Sequence, residues 1–425
     1  MQRLLCGAFC CNVLFKSVEN RYYCEPEIFR SMYARTLTKS DMKNSETVKK
    51  AFAAKFGEGK PLVYSSPGRI NLIGEHTDYN GGFVFPGAID KCITAAIKAN
   101  GTAMVRSYAI DLDEYAEFGL REEDIPNQQW ARYIFGISRE MIKRGVAVGG
   151  FDTVFTGDVP LGAGMSSSAA LESTYAFALN EIFGGGIDKF ELARAGQATE
   201  HNYCGVKCGI MDQFASLFGR EGYLILLDCR SLEHKYYPFA PTGYKLVLLD
   251  TGVKHELASS AYNKRRESCE RVAGAIRRSH PEVEFLRDAS PDMLEEVRDK
   301  VSAEDYMRAG YVIDEVRRVM EVCAALEKAD YETVGRRMYE THRGMSRQYE
   351  VSCEELDFLN EVASKCGVTG SRVMGGGFGG CTINLVVEEL YGRFIETAVM
   401  EFKEKFGHEP KIYDVVISGG SQRLE

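Results

Sequence analysis

The stretch from Ser66 to Gly82 constrains the fold more than any other part of the chain. It reads SPGRINLIGEHTDYNGG and combines an arginine, a glutamate, a histidine and an aspartate with four glycines. Its apolar residues Ile70, Leu72 and Ile73 are flanked on both sides by glycine and charge. This pattern is typical of a strand that delivers polar side chains to a pocket. Such a pocket needs partners elsewhere in the chain.

A glycine- and serine-rich segment offers one partner. Residues 157–172 read GDVPLGAGMSSSAALE. Gly162 and Gly164 allow close approach of the backbone, and the serines at 166–168 add hydroxyl donors at the start of a predicted helix. Backbone amides at such a helix start can cradle phosphates. A plain helix cap after a glycine turn is the alternative. A G-x-x-x-x-G-K-S/T string does not occur in the sequence, which disfavours the P-loop fold.

A second glycine-rich segment, residues 370–386, reads GSRVMGGGFGGCTINLV. Its GGGFGG run at 375–380 is followed by the alternating residues 382–387, which indicate a strand rather than the helix that a dinucleotide fingerprint requires. We expect a loop that closes beside the phosphates. The alternative is a flexible hairpin.

Length and composition restrict the class of protein. At 425 residues the chain exceeds the usual size of a single core, so we expect two domains around one cleft. The net charge of −9 argues against general binding to nucleic acid or anionic membrane. Thirteen scattered cysteines suit reduced thiols in a cytoplasmic protein, and Cys204 with Cys208 lacks the second pair that a zinc site needs. The sequence contains no apolar run of the roughly 18 residues that a membrane span needs.

The periodicity predicts a mixed α+β chain, which we expect to be a monomer. Val48, Phe52 and Phe56 mark a short amphipathic helix, so we expect a globular domain to begin at Met42. Residues 1–41 are then expected to be a non-core extension, and a misassigned start codon is one explanation for it. We place the domains at 42–235 and 236–425. The predicted strands are 62–73, 83–99, 223–228, 245–250 and 382–387. The predicted helices are 165–183, 188–203, 258–278 and 307–328.

The three segments, in this order, resemble the galactose, homoserine, mevalonate and phosphomevalonate kinase superfamily. Within it, GRINLIGEHTDYNGG, CGIMDQFAS (208–216), LLDCRSLE (226–233) and HELASSAY (255–262) are similar to the galactokinases. The resemblance implies a two-domain fold with the active site in the cleft between the domains. It runs from about residue 63 to the end of the chain.

The resemblance also implies roles for individual residues. Asp212 matches the catalytic base and Arg69 the arginine that steadies the transferring phosphoryl group. Glu200 and Ser168 match the magnesium ligands, although Glu200 by itself reads as a solvated helix residue. The implied sugar-binding residues are Glu75, His76, Asp78, Gly209 and Tyr262. The implied ATP-binding residues are Gly162, Ala163, Gly164, Met165, Ser166, Ser167, Ser168 and Ala169.

The assignment of His76 has two alternatives on the residues alone. His76 lies between Glu75 and Asp78, but three ligands within four residues of one strand diverge, which disfavours a metal site. A purely structural role for His76 stays open.

The expected function is phosphorylation of galactose at its anomeric hydroxyl, with ATP and Mg²⁺ as cofactors. One alternative is a kinase of the same group that acts on N-acetylgalactosamine or arabinose. Another is a sugar- and ATP-sensing regulator without catalysis. The segment MSSSAALE (165–172) is not shortened and Asp212 is present, which favours the enzyme over the regulator.

Overall fold

The computed structural model of the protein describes residues 39–254 and 258–424. The helices are α1 (Lys39–Phe56), α2 (Gln129–Lys143), α3 (Ser167–Ile182), α4 (Lys189–Thr199), α5 (Met211–Phe218), α6 (Ala258–Arg277), α7 (Pro291–Glu295), α8 (Ala303–Leu326), α9 (Tyr331–Arg347), α10 (Glu354–Lys365) and α11 (Glu388–Phe406). The strands are β1 (Leu62–Asn71), β2 (Phe83–Val84), β3 (Pro86–Ala99), β4 (Val105–Ala109), β5 (Glu114–Phe118), β6 (Phe151–Gly157), β7 (Tyr223–Asp228), β8 (His234–Pro238), β9 (Tyr244–Lys254), β10 (Gly370–Val373), β11 (Gly379–Val387), β12 (Lys411–Val415) and β13 (Gln422–Arg423).

A six-stranded sheet in the order β13-β1-β3-β6-β4-β5 carries the N-terminal half. Its neighbours are antiparallel except for the parallel pair β4 and β6. Helix α1 covers part of the sheet because Val48 and Phe52, four residues apart, are buried against it. Helices α3 and α5 pack against β1 and β3. The sheet is therefore held between helical layers.

The strand β1 is irregular where it approaches the glycine- and serine-rich segment of residues 157–172, which we call the phosphate loop. Its register against β3 shifts between Pro67 and Arg69. A Cβ on Gly68 would lie 2.6 Å from the carbonyl oxygen of Met165, and the Arg69 amide donates to that same oxygen at 3.1 Å. Only a glycine allows this approach, so the bulge joins the strand to the loop and turns Arg69 toward the loop.

The C-terminal half is built on a four-stranded antiparallel sheet in the order β10-β11-β9-β12. Helices α10 and α11 pack on this sheet around Leu359, Val362 and Phe394. Helices α6 and α8 pack together beside it and form a separate apolar cluster. A small third sheet has the order β2-β7-β8, in which β2 comes from the link between β1 and β3 and the other two strands precede β9. The mixed α+β class predicted from the sequence is confirmed.

Element types were predicted well and boundaries less well. The strand 223–228 and the helix starting at Asp188 agree with the structure, in which the Asp188 carboxylate caps the Glu191 amide at 2.9 Å. The predicted strand 83–99 is two strands, because the short β2 pairs with β7 while β3 pairs with β1.

The first helix begins at Lys39, before the predicted domain start at Met42. Within the predicted extension, Ser40 donates to Asp158 at 2.7 Å and Asp41 is 1% exposed. These two residues therefore belong to the packed structure. The rest of the predicted extension, residues 1–38, lies outside the described residues.

Candidate active site

A cavity of about 300 Å³ lies where the two halves of the chain meet. The N-terminal half supplies the end of β1, the loop that follows it and the start of α5. The C-terminal half supplies Tyr262 and the glycine-rich loop between β10 and β11. The lining residues include Arg69, Glu75, His76, Asp78, Ser168, Glu200, Gly209, Asp212, Tyr262, Gly376 and Gly377. The structure thus brings the residues implied for catalysis, sugar binding and metal binding around one cavity.

Asp212 and Arg69 form a bidentate ion pair on the wall of this cavity. Arg69 donates from Nε to Oδ1 at 2.8 Å and from Nη2 to Oδ2 at 3.0 Å. Its Nη1 donates to the carbonyl of Gly164 in the phosphate loop. Arg69 is almost fully buried, whereas the Asp212 side chain is 30% exposed. A guanidinium held this way fixes the direction of the carboxylate.

The phosphate loop joins the same group of contacts. Gly162, Gly164 and Ser166 have φ values of +77°, +75° and +57°, so the chain makes a left-handed turn into α3. The Ser166 hydroxyl donates to Oδ2 of Asp212 and does not cap the helix. The first amides of α3 therefore keep no partner from that side chain and are available to an anion. This arrangement differs from a plain helix cap.

The two glycine-rich loops pack backbone against backbone. A Cβ on Gly164 would lie 2.9 Å from the carbonyl oxygen of Met374, and one on Gly375 would lie 3.2 Å from that of Gly164. One on Gly380 would lie 3.3 Å from the carbonyl oxygen of Gly162. Glycine is required because side chains would separate the loops. The second glycine-rich loop thus lies beside the phosphate loop, as predicted, and is not a free hairpin.

Glu200 is 7% exposed and lies in the turn that ends α4. Burial raises its pKa to about 7, the Ser168 hydroxyl opposes this by donating a hydrogen bond, and the charge of Asp212 raises it further. The interpretation of Glu200 as a solvated helix residue is therefore wrong. Glu200 and Ser168 lie together on the cavity wall.

Asp78 and Gly209 are in direct contact on the cavity wall. A Cβ on Gly209 would lie 1.9 Å from Oδ2 of Asp78. Burial, followed by the charge of Asp212, raises the pKa of Asp78 to about 7. Tyr262 lines the same wall, with its ring centroid 5.3 Å from that of His76.

Glu75 is held by the C-terminal half of the chain. Its Oε1 accepts from the Gly375 amide at 2.9 Å and from Nη2 of Arg372 at 3.0 Å. Arg372 is fully buried and also donates to the carbonyl oxygens of Asn71 and Leu72 at the end of β1. The ion pair therefore joins the loop that follows β1 (residues 72–82, called the sugar-motif loop) to the glycine-rich loop between β10 and β11. Glu75 still lines the cavity.

His76 uses both ring nitrogens inside the protein. Nδ1 lies 2.7 Å from the Tyr79 hydroxyl and Nε2 lies 3.2 Å from the Gly376 carbonyl oxygen. Because a carbonyl only accepts, Nε2 carries the proton and Nδ1 accepts from Tyr79. Burial lowers the pKa of His76 to about 3, so the ring is neutral. This geometry favours the structural alternative for His76.

A second and larger cavity, of about 1050 Å³, adjoins the first and shares Tyr133 and Ser168 with it. Its walls combine the phosphate loop with apolar side chains, including Trp130, Phe155 and Leu161. A polar loop beside an apolar slot suits a nucleotide, whose phosphates are anionic and whose base is flat and largely apolar.

Several residues of the site had no clear indication in the sequence. Arg372 lies in the second glycine-rich segment, but the sequence does not indicate its partner, and Glu315 and Tyr311 lie in a long helix without a motif. Across residues 39–254 and 258–424, no group of three or more His, Cys, Asp or Glu side chains is arranged to hold a metal. None of the helices in those ranges is long and apolar enough to cross a bilayer.

Comparison with known proteins agrees with this geometry. The galactokinase galactose-binding signature matches residues 50–99. The GHMP kinases are the galactose, homoserine, mevalonate and phosphomevalonate kinases. Their N-terminal domain matches residues 132–220 and their C-terminal domain matches residues 323–405. Mevalonate kinase from Methanococcus jannaschii shares the fold, with a TM-score of 0.58, 17% identity, and coverage of 85% of this chain and 99% of that one. The fold is that of the GHMP kinases.

The similarity is stronger to one branch of that group. Galactokinase from Thermotoga maritima is 37% identical over 85% of this chain and 100% of its own length. Galactokinase from Clostridium beijerinckii is 37% identical over 90% of this chain and 100% of its own length. The crystal structure of Lactococcus lactis galactokinase complexed with galactose has a TM-score of 0.84 and 32% identity, and covers 89% of this chain and 99% of that one. The chain belongs to the galactokinase family, and kinases of this family use ATP.

Proposed function

We propose that this chain transfers the γ-phosphoryl group of ATP to the anomeric hydroxyl of galactose, giving galactose 1-phosphate and ADP. One observation carries the proposal: the Asp212 carboxylate, fixed by Arg69, faces a small polar cavity that adjoins a larger, nucleotide-sized one. Two substrates bound in these cavities would meet near Asp212. The solved Lactococcus lactis relative is a complex with galactose, which supports the choice of sugar.

In the proposed reaction, the anomeric oxygen attacks the γ-phosphorus while its proton passes to Asp212. The new oxygen–phosphorus bond forms as the bond between the γ-phosphorus and the β–γ bridging oxygen breaks, and ADP leaves. Phosphoryl transfer depends mainly on alignment and charge compensation. Arg69 serves both needs, because it orients Asp212 and adds positive charge beside the phosphate loop.

The backbone amides at the start of α3, with Gly162 to Ala169, are proposed to hold the phosphates of ATP. The left-handed turn at Ser166 comes directly before the first residues of α3, and Ser167 and Ser168 line the larger cavity. Since the chain carries a net charge of −9, local amides and the helix dipole are the appropriate way to bind an anion.

We further propose that Glu200 and Ser168 hold Mg²⁺. The pair fits that ion, because a carboxylate and a hydroxyl are hard oxygen ligands and Mg²⁺ completes its shell with phosphate oxygens and water. The burial that raises the Glu200 pKa to about 7 leaves a carboxylate that a cation would stabilise in its charged form. When bound, the ion neutralises charge on the transferring phosphates.

Glu200→Gln is expected to raise the Mg²⁺ concentration required for half-maximal activity by roughly tenfold or more, because a neutral amide replaces the only carboxylate of the pair. In the unmodified protein the Mg²⁺ requirement should rise as the pH falls below about 7, since protons then compete for Glu200. Magnesium titrations of both proteins at several pH values measure this. Glu191→Gln, at a half-buried carboxylate in the first turn of α4 that pairs with Arg194, is the control. Identical magnesium titrations for wild type and Glu200→Gln would place the ligand elsewhere.

The experiment that tests the function is an ADP-release assay across a panel of monosaccharides, paired with sugar-binding measurements. We expect galactose to be turned over in preference to the other sugars. A preference for N-acetylgalactosamine or arabinose would assign the chain to a related sugar kinase. Binding of galactose and ATP without turnover would make it a regulator.

A cytoplasmic location and a monomeric state are also part of the proposal. Free thiols in the described part of the chain include Cys204, Cys208, Cys229, Cys269, Cys323, Cys353, Cys366 and Cys381, which suits a reducing compartment. A monomer is sufficient because one chain supplies all the residues proposed for catalysis. Size-exclusion chromatography with light scattering measures the oligomeric state.

A further inference from the structure

The loop that follows β1 has an unusual backbone. Gly74 has a φ of +94° and His76 a φ of +62°. The second value is rare for a residue with a side chain, and it persists only where neighbouring groups hold the backbone in place. The residues that hold this loop therefore help to place Glu75 and His76 in the cavity.

One face of helix α8 supplies those groups. Oε1 of Glu315 accepts from the Gly74 amide at 2.8 Å and from the Glu75 amide at 3.3 Å. The Tyr311 hydroxyl donates to the Glu75 carbonyl oxygen at 3.1 Å. A Cβ on Gly74 would lie 2.9 Å from Cγ2 of Val319. Residues 311, 315 and 319 follow the four-residue spacing of one helical face, so a single surface of α8 contacts the loop backbone.

The carboxylate of Glu315 is fully occupied. Its Oε2 accepts from Nε of Arg318 and from the Thr341 hydroxyl, both at 2.7 Å. The residue is 0% exposed and is not among the residues that line the sugar cavity. Because both oxygens accept two hydrogen bonds, an amide at this position would set an N–H group against one pair of donors.

The far side of the loop contacts the glycine-rich loop. Glu75 accepts from the Gly375 amide and His76 donates to the Gly376 carbonyl oxygen. The loop is therefore held from behind by α8 and from the cavity side by the residues at 375–376. A shift of its backbone would move the side chains that line the cavity.

We propose that Glu315, assisted by Tyr311, is a positioning residue for sugar recognition. Glu315 holds the Gly74–His76 backbone in the conformation that directs Glu75, His76 and the following Asp78 into the cavity, and it touches neither substrate. The inference rests on the proposed function for the identity of the sugar.

The test compares how each substitution changes the KM for galactose and the KM for ATP. We expect Glu315→Gln to raise the KM for galactose roughly tenfold or more. In one orientation of the glutamine, its amide N–H would face the backbone amides of Gly74 and Glu75. In the other orientation, it would face the donors of Arg318 and Thr341. The KM for ATP should change by less than about twofold, since the nucleotide cavity does not include this loop. Tyr311→Phe, which removes a single hydroxyl and retains the ring, should produce a smaller rise in the KM for galactose.

Asp305→Asn is the matched control. Asp305 lies on the same helix, is 5% exposed, pairs with Arg271 at 2.8 Å and, within the described residues, makes none of the loop contacts observed for Tyr311 and Glu315. It should lower the melting temperature without changing either KM. An unchanged KM for galactose in folded Glu315→Gln, or equal rises for galactose and ATP, would overturn the proposal. If Glu315→Gln did not fold, an unchanged KM in Tyr311→Phe would overturn it.

The wild-type protein separates this inference from the proposed function. Absence of turnover with galactose in the wild type would contradict the function, and the comparison of variants would then be made on the dissociation constant for galactose. Failure of the wild type to bind galactose would overturn both. If the wild type turned over galactose normally and the variants had the same KM for galactose as the wild type, only the positioning role would be contradicted.

Discussion

Asp212→Asn is expected to lower kcat by roughly 10²- to 10⁴-fold while ATP binding persists, because the amide keeps the shape of the side chain but does not accept the proton of the sugar hydroxyl. The structure gives this substitution a defined local effect. Arg69 donates to both carboxylate oxygens and Ser166 donates to one of them. The amide N–H of asparagine would face one of these donors, so part of the loss would come from misalignment.

A chemically matched control is available. Asp152 pairs with Arg106 through two hydrogen bonds, of 2.7 and 2.6 Å, and is 7% exposed, but it lies on the sheet outside the cavity. Asp152→Asn breaks the same type of ion pair and should retain wild-type turnover after allowance for stability. Steady-state kinetics with ATP binding by calorimetry separates the two effects. A near-normal kcat for Asp212→Asn would show that another group takes the proton.

Galactose should be preferred over glucose by roughly 10⁴-fold in kcat/KM, because the two sugars differ only in whether the 4-hydroxyl is axial or equatorial and the wrong epimer leaves buried polar groups unpaired. Asp78 and Gly209 lie in contact on the cavity wall, and we expect Asp78, Tyr262 and the Gly209 backbone to surround the 3- and 4-hydroxyls of the sugar. Burial raises the Asp78 pKa to about 7, so an unpaired carboxylate there is costly.

Two substitutions test this assignment. Asp78→Ala should reduce turnover of galactose much more than it reduces ATP affinity, because the carboxylate positions the acceptor and does not line the nucleotide cavity. Gly209→Ala should cause the same defect from the other side, since its Cβ would lie 1.9 Å from Oδ2 of Asp78. Asp152→Ala again serves as the control. Similar rates on the two epimers, or a defect limited to ATP, would contradict the assignment.

The sequence predicted the parts of the site that lie within continuous motifs. The serine loop, the aspartate in CGIMDQF and the β1 arginine each stand in a run whose composition is unusual for a core element. Local rules also predicted the start of α4, because a capping aspartate acts within one helical turn. The class of fold and the family followed from the order of these motifs and are confirmed.

The contacts between distant residues could not be predicted in the same way. Arg372 and Glu315 contact the sugar-motif loop across about 300 and 240 positions of sequence, and the residues around neither of them indicate that contact. The state of His76 depends on a carbonyl at residue 376 and on the Tyr79 hydroxyl, so its ring chemistry is a tertiary property. Single-sequence reasoning identifies which side chains are unusual, but packing decides their partners.

The pairing of β13 with β1 has a consequence for biosynthesis. Ser66 and Ser421 share a hydrogen bond across 355 positions, and Tyr64 lies opposite Arg423 in the register. While the ribosome is still making the intervening chain, β1 presents an unpaired strand edge, and such edges are prone to pair with other chains. Long-range pairing of this kind also slows folding. The nascent protein should therefore depend on chaperones until β13 emerges, and substitutions in β13 should lower soluble yield more than they lower the activity of the folded protein.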